Sequence, residues 1–489
     1  MRKALKHVSV VGLSMFALLF GSTTWIQYFS AEDLNEHPLN TRSLREEITR
    51  HRGPILVDGT PIAQSVPVDD DYEYQREYGA EGMDPEVYAS LTGFFSVVGG
   101  THGLESTENT LLAGTDDALF LSQVSSWFTG EQPMGAAVSL TIDPAAQQAA
   151  WDALDGQKGA VVALDPKTGD VLAMVSTPGW DPNAVAVHDP AEANAAYQDL
   201  VADEDDPLYN RAIGGNLYPP GSTFKLVTAA AALESGDYTP DSTLPSPATL
   251  DLPQTSATIS NSSRTACGPN DEVDLATSIE ISCNTSFAWL GMELGPDAMA
   301  EQAEKFGFGA DMSIPLGVTP SRFPEDTDEP QLAQSAIGQF EVRATPLQMA
   351  MVASAIANGG TLMTPQLVSE VRNARTLSLL EDPSPREFSK PVSPETAQAL
   401  TDMMVSVTED GTGTAGAIDG VDVAAKTGTA QHAEGAAPHA WFTSFAPADD
   451  PRVAVAVVVE SGGSAGNQAS GGRSAGPIAK AVMEAVIDQ

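Results

Sequence analysis

Hydrophobic and polar positions divide the chain into an apolar leader, an irregular stretch, and a long region where strand-like and helix-like patterns alternate. Val8–Phe29 is a run of 22 residues without charge, long enough to cross a bilayer as a helix. An amphipathic stretch covers Asn40–Arg50. Arg52–Ala63 then reads as a short strand, a Gly-Thr-Pro turn and a second short strand. Residues 68–88 read as an acidic, tyrosine-containing loop, and Gly103–Gly114 as a helix with a glycine stop. A helix is expected over Pro144–Leu154. It is followed by a hairpin of Gly159–Leu164 and Asp170–Ser176 about the turn Asp165-Pro-Lys-Thr-Gly169. Helical periodicity marks 222–234, 272–294, 297–306 and 345–357. Strand patterns return at Val421–Ala425, His439–Phe445 and Arg452–Val459. A Gly/Ser-rich loop, Ser461–Ala475, precedes a last helix over Pro477–Ile487. Two strands, a helical block, three strands and a final helix predict one antiparallel sheet with helices on its faces, an α+β fold.

Length and charge narrow this picture. A chain of 489 residues predicts two or more domains, and 42% apolar residues suffice for a sizeable core. A net charge of −42 argues against a nucleic-acid partner and otherwise says little about function. Arg2, Lys3 and Lys6 precede the apolar run and Glu32 and Asp33 follow it, which predicts a cytoplasmic N-terminus and an external remainder. The run is long for a signal peptide and no Ala-x-Ala site follows it, so an uncleaved anchor is expected. The expected layout is a cytoplasmic tail (1–7), an anchor (8–29), a noncatalytic module (30–138) and a catalytic domain (139–489). Cys267 and Cys283 lie in the external portion, sixteen residues apart, which predicts a disulfide contributing about 3 kcal/mol. The seven histidines are scattered without a His-Glu-x-x-His motif, so no metal and no cofactor are expected.

Candidate chemistry centres on Tyr218-Pro-Pro-Gly-Ser222-Thr-Phe-Lys225, a tight turn entering an alanine-rich helix. Ser222 and Lys225, three residues apart, project from nearly the same face, giving a hydroxyl beside an amine. That is the minimum for a serine nucleophile with a lysine base. Taken alone, Ser222 reads first as a helix cap and Lys225 as a solvated cation. Two features weigh the other way. This is the only Ser-x-x-Lys in a chain with nine lysines, and Lys225 is flanked by Phe224 and Leu226. Ser282-Cys-Asn284 follows sixty residues after Ser222 and is the only Ser-x-Asn; alone it reads as helix capping. Lys426-Thr427-Gly428-Thr429 comes 144 residues later and is expected to close the strand Val421–Ala425 at a sheet edge. A second Lys-Thr-Gly, at 167–169, is explained by its hairpin turn.

Ser-x-x-Lys, Ser-x-Asn and Lys-Thr-Gly in this order are the signature of penicillin-binding proteins and serine β-lactamases. With Arg52–Ala63, Gly103-Leu-Glu105, Asp143-Pro, Gly338-Gln339, Thr345–Met349 and Pro438-His-Ala-Trp441, nearly the whole chain resembles a class B penicillin-binding protein of the actinobacterial penicillin-binding protein A type. The cysteine inside Ser-x-Asn, paired with an upstream one, resembles that type too. The resemblance implies a five-stranded antiparallel sheet flanked by helices plus an all-helical subdomain. It implies a monofunctional D,D-transpeptidase acting on stem peptides ending in D-Ala-D-Ala and on lipid-linked precursor strands, inhibited by β-lactams, with cell wall synthesis or division proteins of the membrane as partners. Ser222 would be the nucleophile, Lys225 its base and Ser282 a proton relay. Asn284, Lys426, Thr427, Gly428 and Thr429 would bind substrate, and the N–H groups of Ser222 and Thr429 would form the oxyanion hole. Lys225 must then lose its proton near neutral pH, far below an ordinary value of about 10.4, through burial and the Lys426 charge. His439 and Trp441 are read as packing residues or substrate contacts. A β-lactamase is disfavoured because no Glu-x-x-Leu-Asn occurs in 285–425, where Glu325 and Glu329 sit in an acidic loop. A D,D-carboxypeptidase and a division-complex scaffold stay open. A glycosyltransferase does not fit the roughly 110 residues before the catalytic domain.

Overall fold

A computed structural model of the chain describes residues 2–30, 48–79, 82–119, 134–215, 217–432 and 435–488. Most of the amphipathic stretch expected at Asn40–Arg50 lies outside the described residues. Helix α1 (Arg2–Thr24) runs through one π turn to Phe29, and Lys6–Phe29 is long and apolar enough to cross a membrane. Strands β1 (Ile55–Val57), β2 (Thr60–Pro67) and β3 (Tyr74–Tyr78) form a meander. Its first turn is Asp58-Gly59, with φ of 46° and 74°, so Thr60 and Pro61 belong to β2 rather than to the expected Gly-Thr-Pro turn. β3 replaces part of the expected 68–88 loop; it is held there by the burial of Arg76 and Tyr78, which its charged sequence hides. Between Gly103 and Gly114 the chain makes two short helices, Leu104–Thr107 and Asn109–Leu112.

Next come β4 (Ala136–Leu140), α2 (Pro144–Leu154) and the hairpin β5 (Gly159–Leu164) and β6 (Val171–Thr177). The helical block contains α3 (Lys225–Ser235), α4 (Leu275–Glu280), α5 (Asn284–Leu294) and α6 (Pro346–Ala357). The expected helix over 272–294 is therefore interrupted, because Ser282 sits in the left-handed region at φ 59° and breaks the ladder. Strands β7 (Val368–Asn373) and β8 (Leu379–Glu381) and helix α7 (Pro394–Glu409) follow; none of these three was foreseen, nor was the helix Pro190–Ala202. The chain ends with β9 (Ala424–Ala430), β10 (His439–Ala446), β11 (Val453–Val459) and α8 (Gly476–Ile487).

The central sheet has the order β9-β10-β11-β5-β6, antiparallel throughout. Alternate residues of a strand face opposite sides, so both faces are apolar here. Val161, Val175, Phe442 and Val457 pack under α2 and α8 on one face. Val162, Met174, Trp441 and Val458 join the helical block on the other. Helix α6, buried on all sides, forms the middle of that block.

A second sheet has the order β8-β7-β4-β1-β2-β3. β4 runs parallel to β1 and antiparallel to β7, so two strands from beyond residue 367 complete a sheet begun before residue 60. Inside this module Glu105, fully buried, pairs with Arg52 at 2.7 Å and Arg76 at 2.5 Å. Burial raises the Glu105 pKa, but the two guanidinium charges outweigh it and hold the carboxyl below its ordinary value.

Candidate active site

The Ser222 segment forms a 3₁₀ turn, Gly221–Phe224, rather than the first turn of an α-helix. Three residues per turn bring positions i and i+3 into line, so Ser222 and Lys225 share one direction more closely than α geometry allows. Helix α3 follows with Lys225–Ala232 all buried, and Lys225 enters the interior at its first residue. Several contacts fix the turn. Gly221 N–H donates to Gly338 O at 2.9 Å, Thr223 Oγ1 to Pro220 O at 2.8 Å and Trp441 Nε1 to Pro219 O at 3.1 Å. Tyr218 donates to Glu460 Oε1 at 2.6 Å, and Glu460 is held in turn by Arg211 at 2.9 Å. Gly221, at φ 55°, occupies a conformation other residues avoid.

The turn lies against edge strand β9. A side chain at Gly428 would come within 2.9 Å of Pro220 O, so only glycine permits this approach. The Lys-Thr-Gly-Thr segment runs inside β9, which starts at Ala424, and does not follow a strand over Val421–Ala425. An edge strand pairs along one side only, so a polar, threonine-rich sequence is tolerated there. The other Lys-Thr-Gly lies in a hairpin turn, as expected, with Lys167 exposed and paired to Asp450 at 2.6 Å.

Ser282 is where the three motifs meet. Lys225 Nζ donates to Ser282 O at 2.8 Å and to Asn284 Oδ1 at 2.8 Å, and lies 3.3 Å from Ser282 Oγ. Lys426 Nζ donates to the same Ser282 Oγ at 2.8 Å. Ser222 is half-buried on the adjacent turn, and among the described residues its hydroxyl has no hydrogen-bond partner. Lys225 is thus joined to the Ser-x-Asn motif rather than hydrogen-bonded to Ser222. Thr427 is buried and Thr429 exposed.

Both lysines are fully buried, and among the described residues neither is paired with a carboxylate. Burial first, and then the Lys426 charge, push Lys225 well below its ordinary pKa. Burial lowers Lys426 to about 7.

Two supporting residues carry no sequence signal. Asn261 Oδ1 accepts from Asn284 N at 3.0 Å, Thr285 N at 3.1 Å and Thr285 Oγ1 at 3.2 Å. It caps α5 from 23 residues away, leaving the Ser282 and Asn284 side chains free of the capping role expected of them in isolation. The Cys267–Cys283 disulfide is present, with Cα atoms 6.1 Å apart, and ties the same loop to the motif. Thr412 Oγ1 lies 2.7 Å from Thr427 Oγ1. Trp441 and His439 both pack on the ring of Tyr218, centroids 6.1 and 5.3 Å away, so they brace the turn.

Residues 159–484 match the penicillin binding protein transpeptidase domain, and residues 52–138 match the penicillin binding protein A dimerisation domain. The chain is 42% identical to the peptidoglycan D,D-transpeptidase PbpA of Mycolicibacterium smegmatis, over 100% of this chain and 99% of that one. It is 40% identical to PbpA of Mycobacterium tuberculosis, again over 100% of this chain and 99% of the relative. Its structure aligns with the ceftriaxone acyl-enzyme complex of penicillin-binding protein A from M. tuberculosis at a TM-score of 0.87 and 41% identity, covering 91% of this chain and 100% of that one. With matched motifs, matched fold and relatives matched end to end, the chain belongs to the penicillin-binding protein transpeptidase family.

Proposed function

We propose that this chain is a membrane-anchored peptidoglycan D,D-transpeptidase that works through an acyl-enzyme on Ser222 and is inhibited by β-lactams acylating the same hydroxyl. The observation that carries the residue roles is the meeting of two buried lysines on Ser282. A neutral amine has two N–H donors and one lone pair. Ser282 O and Asn284 Oδ1, each 2.8 Å from Lys225, take the two donors and leave the lone pair for the Ser222 proton. Ser222 Oγ then bonds to the penultimate carbonyl carbon of a D-Ala-D-Ala stem, and the N–H groups of Ser222 and Thr429 receive the developing oxyanion. As the C–N bond breaks, the proton held on Lys225 passes through Ser282 Oγ to the departing D-alanine. Lys426, beside Ser282, supplies the cation that favours delivery, and with Thr427 and Thr429 it binds the terminal carboxylate. In the second half an amine of a neighbouring stem peptide forms the new C–N bond, the Ser222 ester breaks, and the amine's proton returns along the same path.

Helix α1 fits a single-pass anchor, with the basic end inside and the catalytic domain outside. Residues 30–138 are read as the noncatalytic module, and membrane-embedded proteins of wall synthesis and division as its partners. Intact-mass analysis with labelled penicillin tests the core of the reading. The adduct is expected on Ser222 and absent from Ser222→Ala. Lys225→Ala should lose about 10²–10⁴-fold in acylation rate, and normal acylation of that variant would remove Lys225 from its role. Supplying a stem-peptide donor with an acceptor amine separates crosslinking from hydrolysis. An amide product supports the transpeptidase, and hydrolysis alone would make the chain a carboxypeptidase.

A further inference from the structure

Thr412 has no place in the three motifs. It lies in the loop Gly411-Thr412-Gly413, between α7 and the short 3₁₀ turn Thr414–Gly416 that precedes β9. Its backbone N–H donates to Glu280 O at 3.3 Å, at the last residue of α4 and two residues before Ser282. Its hydroxyl oxygen lies 2.7 Å from that of Thr427 on β9. The loop therefore spans the Ser-x-Asn turn and the Lys-Thr-Gly strand. It is closely fitted there: a Cβ on Gly411 would fall 2.5 Å from Glu280 O, and one on Gly472 would fall 2.3 Å from Thr412 O. Thr427 itself is buried, and the Thr412 hydroxyl is its one side-chain hydrogen-bond partner among the described residues.

A hydroxyl has one proton to give and two lone pairs to receive with. A carboxylate only accepts, so a Thr427 that binds one must turn its proton toward it. The 2.7 Å contact can then persist only with Thr412 as donor. Such a chain is polarised toward the anion, and each link strengthens the next. We propose that Thr412 is a positioning residue: it donates to Thr427 and so sets the Thr427 proton toward the terminal carboxylate of the donor peptide or of a β-lactam. This rests on the reading that Ser222 is acylated by such ligands.

The test compares acylation by benzylpenicillin with acylation by its methyl ester, which lacks the anion. Thr412→Val keeps the shape and removes the proton donor. It is expected to slow acylation by the acid about tenfold, the order of one hydrogen bond to a charged group, while leaving the ester within about twofold. Thr412→Ser should restore the acid rate. In a Thr427→Val background the Thr412→Val change should have no further effect, since its action runs through Thr427. Thr412 is exposed, so the variants should fold, and a thermal melt checks this. Equal losses for acid and ester, or additive losses in the double variant, would overturn the proposal. Wild-type protein that fails to form an adduct on Ser222 would instead overturn the transpeptidase reading, which keeps the two failures apart.

Discussion

Two lysine side chains reach one serine hydroxyl, and among the described residues no carboxylate accompanies either. Burial of an unpaired ammonium is unfavourable, and the lowered pKa values of Lys225 and Lys426 are the physical outcome. The proposed mechanism needs them to differ: Lys225 would be neutral to take the Ser222 proton, while Lys426 would be charged to hold a carboxylate. Acylation by benzylpenicillin should therefore rise with pH through the depressed pKa of Lys225 and fall again as Lys426 deprotonates near pH 7. Lys426→Arg stays charged throughout, so its profile should keep the acid limb and lose the alkaline one; an unchanged alkaline limb would show that another group sets it. The same shift bears on stability. Because Lys426 titrates lower in the folded chain than unfolded, its contribution is present in full above the unfolded lysine value, is lost progressively as pH falls from there to the folded value of about 7, and does not change further below it. Ser222, Lys225, Ser282, Asn284 and Lys426 were legible in the sequence because they fall in three short motifs of fixed spacing and order. Asn261 and Thr412 were not, because an amide 23 residues from its partner and a hydroxyl 15 residues from its own follow no periodicity.

At the level of elements, the sequence pattern located most strands and helices of the central sheet, and its errors cluster at the site. The 3₁₀ turn at Ser222, the break at Ser282 and the late start of β9 all depart from the expected elements, and each carries a residue of the proposed site. Tertiary support makes such departures affordable. Asn261 takes three donors at the start of α5, and Asn261→Ala leaves them without that acceptor. A loss of about 1–3 kcal/mol in stability and slower acylation are expected, read by thermal unfolding and by adduct formation. If acylation kept its wild-type rate, the Ser-x-Asn turn would hold its geometry without this cap.

For the whole molecule, the anticipated antiparallel sheet between helices was legible because three of its strands, β5, β6 and β11, are nearly continuous apolar runs. The second sheet was not: β3 is charged, and β7 and β8 lie far along the chain from the strands they join. At the heart of that module sits the Arg52–Glu105–Arg76 group. Glu105→Ala would strand two buried guanidinium groups, at an expected cost of about 3–5 kcal/mol, seen as a lower melting temperature with the Ser222 adduct still forming in the folded fraction. If the melt were unchanged, the group would not be a structural tie.

Because β4 is flanked by β1 on one side and by β7 on the other, the outer layer is finished by a segment synthesised more than two hundred residues after it. A ribosome delivers the chain in order, so β4 emerges with one bare margin and stays so while the entire helical block is made. Nascent chains stalled between Leu140 and Val368 would present that margin to whatever lies nearby. The product of an early stop would accordingly be a sticky fragment, not a smaller independent domain.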